Sequence, residues 1–191
     1  MLDKAKMQRI QHPAPQASIF FAQHGVKMDD PDVLKAAVMM YILGASQAAR
    51  LSNEVREKRG LAYTITANIR PYLESGLISG YCGTKKESAD ESVALIQNEW
   101  KRMRATGPTE NELKDAKLYL IGSYPLQFTS TSDIATLLVN YQMSGKSIDY
   151  FHKRDRLINA LTAADIKAIS QKLLKPESLT FVVVGAHSEQ K

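Results

Sequence analysis

LSNEVREKRGLAYTITANIR, residues 51–70, holds the change of period that decides the fold. On its left the spacing is helical. With Ala48 just upstream, Leu51 and Val55 share one face. Lys58 and Arg59 fall in the last turn, where cations suit the helix dipole. Gly60 then stands where a helix usually ends on glycine. On its right the period drops to two. Tyr63, Ile65, Ala67 and Ile69 share one face; Thr64, Thr66, Asn68 and Arg70 share the other, so 62–70 reads as a strand. Pro71 to Gly76 is a turn and Leu77 to Thr84 a second strand, which makes the pair an antiparallel hairpin.

Working outward, Gln16 to Gln23 (QASIFFAQ) is a short strand rich in β-branched and aromatic residues, ended by Gly25. Asp30-Pro31 predicts a helix start, Asp30 as N-cap and Pro31 in the first turn. Val33, Leu34, Ala37, Val38, Tyr41 and Ile42 recur at helical spacing up to Gly44, and a second helix is expected over about 47–59. Downstream, Ala89, Val93, Ile96, Trp100 and Met103 form an amphipathic stripe that Gly107-Pro108 closes. Thr109 with Glu112 predicts a capping box, with Leu113, Ala116 and Leu120 on the inner face of its helix. Pro125 should kink or end that helix. Ser130 with Asp133, and Thr162 with Asp165, predict two more helix starts. Lys175-Pro176 stops the last helix, and Leu179 to Val184 is a continuously apolar strand expected in the middle of a sheet. Because the helices are grouped, the order predicts an α+β two-layer sandwich: a mainly antiparallel sheet with helices on one face. Residues 1–14 read as a linker or tail and 15–191 as the domain.

Composition excludes several classes. The 191 residues are 44% apolar and 24% charged, with a net charge of +5, ordinary values for a globular chain. The longest apolar stretch, Ala36–Ala45, is about half the ~20 residues needed to cross a bilayer, so no membrane span is expected. The polar N-terminus has no signal-peptide core, and the compartment stays open between bacterial periplasm and cytoplasm. Lys and Arg alternate with Asp and Glu, and basic clusters interleaved with aromatics are missing, so nucleic acid is not an expected partner. A single cysteine, Cys82, allows no internal disulfide; its place in a strand makes it a small core residue.

The histidines, His12, His24, His152 and His187, form neither H-x-x-E-H nor H-E-x-x-H. No metal site is therefore expected in this chain. His152 reads as a solvated helix residue, and Asp29, Asp30 and Asp32 as helix-start residues. Glu54 and Lys58 make a favourable i,i+4 pair. By periodicity alone Arg56 is a surface cation near a helix end, and Tyr63 a core residue with its hydroxyl satisfied locally.

The block Leu51 to Tyr63, LSNEVREKRGLAY, resembles the second domain of pitrilysin-type zinc metallopeptidases, the insulinase-like family that includes mitochondrial processing peptidase. Supporting matches are DDPD (Asp29 to Asp32), the helix end Tyr41 to Gly44, GPTENEL (Gly107 to Leu113) and FVVVG (Phe181 to Gly185). The likeness covers about Gln16 to Gly185. It implies a non-catalytic domain facing a homologous domain or subunit that carries H-x-x-E-H and the zinc. It further implies that Arg56 positions a peptide or protein substrate, and that Tyr63 acts in trans as a catalytic donor to the developing oxyanion. A guanidinium offers a rigid fork of donors for carbonyl oxygens, and a phenol can donate without carrying charge. The chain alone is expected to be inactive. Two other readings stay open: a structural or assembly module of the same fold without a part in proteolysis, and a peptide-binding domain acting by strand addition.

Overall fold

A computed structural model describes residues 6–185. His187, and the outermost parts of the two segments assigned from sequence, lie outside the described residues. Five strands form one sheet in the order β1-β5-β2-β4-β3. They are β1 (Met7–Ile10), β2 (Gln16–His24), β3 (Ala62–Pro71), β4 (Gly76–Lys85) and β5 (Thr180–Val184). Only β1 and β5 run parallel; every other neighbour is antiparallel. The α helices are α1 (Val33–Met40), α2 (Ala89–Thr106), α3 (Glu110–Gly122), α4 (Thr131–Met143), α5 (Tyr150–Ala160) and α6 (Ala163–Leu173).

The core lies between the sheet and α1, α2 and α6. Ala17, Ile19 and Phe21 of β2, Ile78 and Cys82 of β4, and Phe181 and Val183 of β5 are buried against Trp100, Ile96 and Met103 of α2. Phe21 meets Trp100 edge-on at 5.6 Å between ring centres. Gly80 makes this possible: a Cβ there would sit 2.1 Å from the Phe21 ring. The one polar side chain beneath these rings, Gln23, is satisfied. It accepts from the Trp100 indole at 2.8 Å and donates to the Leu173 carbonyl at 2.9 Å, which removes the penalty for burying an amide.

The opposite face of the sheet carries Phe20, Tyr81, Thr66, Asn68, Arg70 and Val182 around a shallow hollow of about 400 Å³. The expected one-sided arrangement is therefore what forms. A smaller cluster of rings joins buried Tyr124 to Phe128 and exposed Phe151, with the Arg154 guanidinium 4.1 Å above the Tyr124 ring. It ties α5 to the turn after α3, where Pro125 stands.

Four sequence expectations change. Within the stretch read as a tail, Met7–Ile10 forms β1, because β5 offers an open edge. β5 lies inside the sheet, but only Phe181 and Val183 are buried; Val182 lines the hollow, so a continuous apolar run is only half covered. Asp30 does not cap α1. It accepts the Asp32 amide at 2.7 Å, and Asp32 stands at the cap with its carboxylate taken by Lys35 and by Lys172 of α6. The helix expected over 47–59 is shorter and wider, with the π-type segment Ser52–Glu57 preceded by Arg50 and Leu51.

Candidate functional site

The segment 50–63 packs along β3 and α2 as one continuous limb. Its π-type turn ends on a two-bond clasp: the Gly60 amide donates to the Arg56 carbonyl at 2.9 Å and the Leu61 amide to the Val55 carbonyl at 3.0 Å. Gly60 has φ +62° and open space where a Cβ would stand. The glycine therefore answers a backbone need, not a steric one. Leu61 is then fastened from the far side, its carbonyl accepting the Thr84 hydroxyl at 2.5 Å.

The strand that follows does not keep the period that the sequence suggests. Ala62 pairs with Thr84 and Thr64 with Gly83, so Tyr63 is an extra residue in a β-bulge. The bulge shifts the alternation by one position. Ala62, Ile65 and Ala67 turn inward, and Tyr63 stands 69% exposed. Periodicity placed Tyr63 in the core with Ile65; one inserted residue takes it out. Bulges are over-represented at sheet edges and beside active sites, where they re-aim a side chain.

Arg56 is also exposed, and among the described residues its ion pair is a loose one with its neighbour Glu57 at 3.6 Å. The other charges of the limb are tightly engaged. Glu54 accepts from Lys58 at 2.6 Å and Arg59 at 2.7 Å, and those donors hold its carboxyl below the usual range. Arg50, only 7% exposed, reaches back to the start of α3. Its Nε and Nη2 donate to the two oxygens of Glu112 at 2.6 and 2.7 Å, and Nη2 also donates to the Gly107 carbonyl at 2.8 Å. The same carboxylate closes the predicted capping box, accepting the Thr109 amide at 2.7 Å. Burial pushes the Glu112 carboxyl up, but Arg50 and Thr109 outweigh it and hold it at about 2. Sequence reading found Glu112 as a cap and passed over Arg50. The partners are 62 positions apart, and no local pattern joins them.

The remaining candidates take the bland roles assigned to them. Cys82 is fully buried, and burial pushes its thiol up to about 12, which leaves it protonated and inert. His152 is exposed on α5. His12 lies in the loop before β2 and His24 at that strand's end. Among the described residues no group of three or more His, Cys, Asp or Glu is placed to hold a metal ion. These residues do not fit a zinc site. No helix among them is long and apolar enough to cross a membrane.

Comparison with known proteins gives this architecture its family. The model described as the peptidase M16 inactive domain matches residues 3–120, and the chain belongs to that family. The crystal structure of the peptidase M16 inactive domain from Pseudomonas fluorescens is 32% identical with a TM-score of 0.89, covering 98% of this chain and 45% of that one. The non-peptidase homolog YmxG of Helicobacter pylori is 29% identical over 193 residues, 99% of this chain and 44% of that protein. The mitochondrial-processing peptidase subunit beta of Blastocladiella emersonii is 27% identical over 180 residues, 90% of this chain and 38% of the subunit. The chain thus spans less than half the length of these relatives. The metallopeptidase resemblance read from residues 51–63 holds along the whole chain.

Proposed function

We propose that this domain is the non-catalytic wall of a zinc-dependent metalloendopeptidase, with Arg56 and Tyr63 meeting the peptide. The zinc and its water chemistry belong, in this reading, to a homologous partner domain or subunit carrying H-x-x-E-H. The observation that carries the reading is the bulge at Tyr63. Leaving a large side chain in water forgoes roughly 1.5–3 kcal/mol of burial, and a regular strand would have recovered it. A phenol held outward on a clasped turn can donate to a carbonyl oxygen as it gains negative charge. An exposed guanidinium on the turn packed against the same strand can hold a neighbouring backbone carbonyl. A preorganised donor of this kind contributes about 3 kcal/mol to transition-state stabilisation.

The test mixes this chain with a polypeptide carrying H-x-x-E-H and a quenched fluorogenic peptide. Cleavage by the mixture and by neither component alone supports the proposal. Tyr63→Phe should then lower turnover by more than about tenfold, and unchanged turnover would remove Tyr63 from the chemistry. A second reading, an assembly module without a part in proteolysis, is favoured by one observation: the Helicobacter relative is described as a non-peptidase homolog. A mixture that forms a stable complex yet cleaves no faster than the zinc-motif polypeptide alone would select it.

A further inference from the structure

We propose that Arg50 and Glu112 are positioning residues: their ion pair, buried at Arg50 and half-buried at Glu112, clamps the start of the 50–63 limb and so sets where Arg56 and Tyr63 stand. The inference rests on the peptide-facing role given to those two side chains. Three observations lead to it. First, the Arg50 guanidinium makes three charge-assisted or carbonyl bonds, two to Glu112 in the first turn of α3 and one to the Gly107 carbonyl just after α2, and none to its own limb. It fastens two elements that the chain separates widely. Second, its Nη1 is buried without a hydrogen-bond partner among the described residues. A guanidinium free to optimise its own bonding would turn to satisfy that donor. This one is held in a single orientation by the bidentate carboxylate and the Gly107 carbonyl. Third, the bonds of Glu54 with Lys58 and Arg59 and those of the Gly60 clasp run within the limb itself, and among its cations Arg56 is the one left loosely paired.

Stability does not by itself require that this contact be ionic. Replacing a buried ion pair by apolar residues of similar volume is often neutral or stabilising. What an apolar pair cannot supply is direction: a bidentate fork fixes distance and angle together. The Ser52–Glu57 turn is itself of the wide π type, closed by the Lys58 amide donating to the Asn53 carbonyl at 3.0 Å, a form frequent at functional sites.

The experiment uses the double variant Arg50→Met with Glu112→Leu, which leaves no orphaned charge inside. Hydrogen exchange of the chain is followed amide by amide. The Gly60 and Leu61 amides should exchange about tenfold faster or more, while those of β2 and β4 keep their wild-type rates, because the opening is local. Uniform acceleration across the sheet, or unchanged exchange at Gly60 and Leu61, overturns the proposal. In the mixture with the zinc-motif polypeptide and the fluorogenic peptide, kcat should fall by about tenfold with KM nearly constant. Tyr63→Phe should also cost less in the double-variant background than in wild type. An unaltered kcat, or full additivity, sinks the clamp. If Tyr63→Phe alone has no effect in the wild-type mixture, the peptide-facing role fails instead, and the exchange result still judges the clamp.

Discussion

The sheet with its helices and the limb from Arg50 to Tyr63 are held by different forces. In the first, Trp100, Phe21, Phe181 and Ile78 are at most 2% exposed and close-packed. In the second, Leu51 and Val55 are buried in that same core, but ion pairs, one glycine clasp and a bulge define the rest of the shape, and Arg56 and Tyr63 are exposed. Packing is non-directional and tolerates relaxation, whereas the limb depends on bonds with fixed angles. The body therefore sets how stable the domain is, and the limb sets what it can touch.

That contrast can be broken most directly in the body. Trp100→Ala should cost about 3–5 kcal/mol, read as a lower urea midpoint, with every probe of structure lost together. A loss under 1 kcal/mol would show that the two regions are not distinct in this way. Next is acid. An unfolded glutamate titrates near 4.5 and folded Glu112 at about 2, so the folded state binds fewer protons between those values. This contribution, on the order of 3 kcal/mol, is fully present above pH 4.5 and is lost as pH falls toward 2. Urea melts at pH 7 and pH 3 should show it, and Glu112→Gln should remove that part of the pH dependence. Smaller still is Gly60→Ala. Nothing crowds the site, so only the positive φ is penalised, by about 1 kcal/mol, read from the same melts. Smallest is Tyr63→Phe, expected within about 0.5 kcal/mol of wild type because its ring is already in water. The same change should produce the large loss of turnover described above. A marked loss of stability would mean that the phenol is part of the body after all.

Much of this was legible in the chain itself, for a reason visible at Thr109, Ser130 and Thr162. Each cap joins residues three apart, and all three form as read. The hairpin, the Gly60 break and the Ala89 to Met103 stripe are equally local. The cap read at Asp30 falls instead on Asp32, which makes no side-chain capping bond while Lys35 and Lys172, the latter 140 positions away, take its carboxylate.

The amino-acid order by itself determined the class of fold and the family likeness carried by residues 51–63, and that likeness offered Arg56 and Tyr63 as candidates. Only the tertiary structure decided that Tyr63 faces out, that Met7–Ile10 joins the sheet beside β5, and that Arg50 meets Glu112. A period or a cap is written in neighbours along the chain. A bulge is defined by the register of the opposite strand, an edge by which strand lies beside it, and a long-range ion pair by two segments meeting in space.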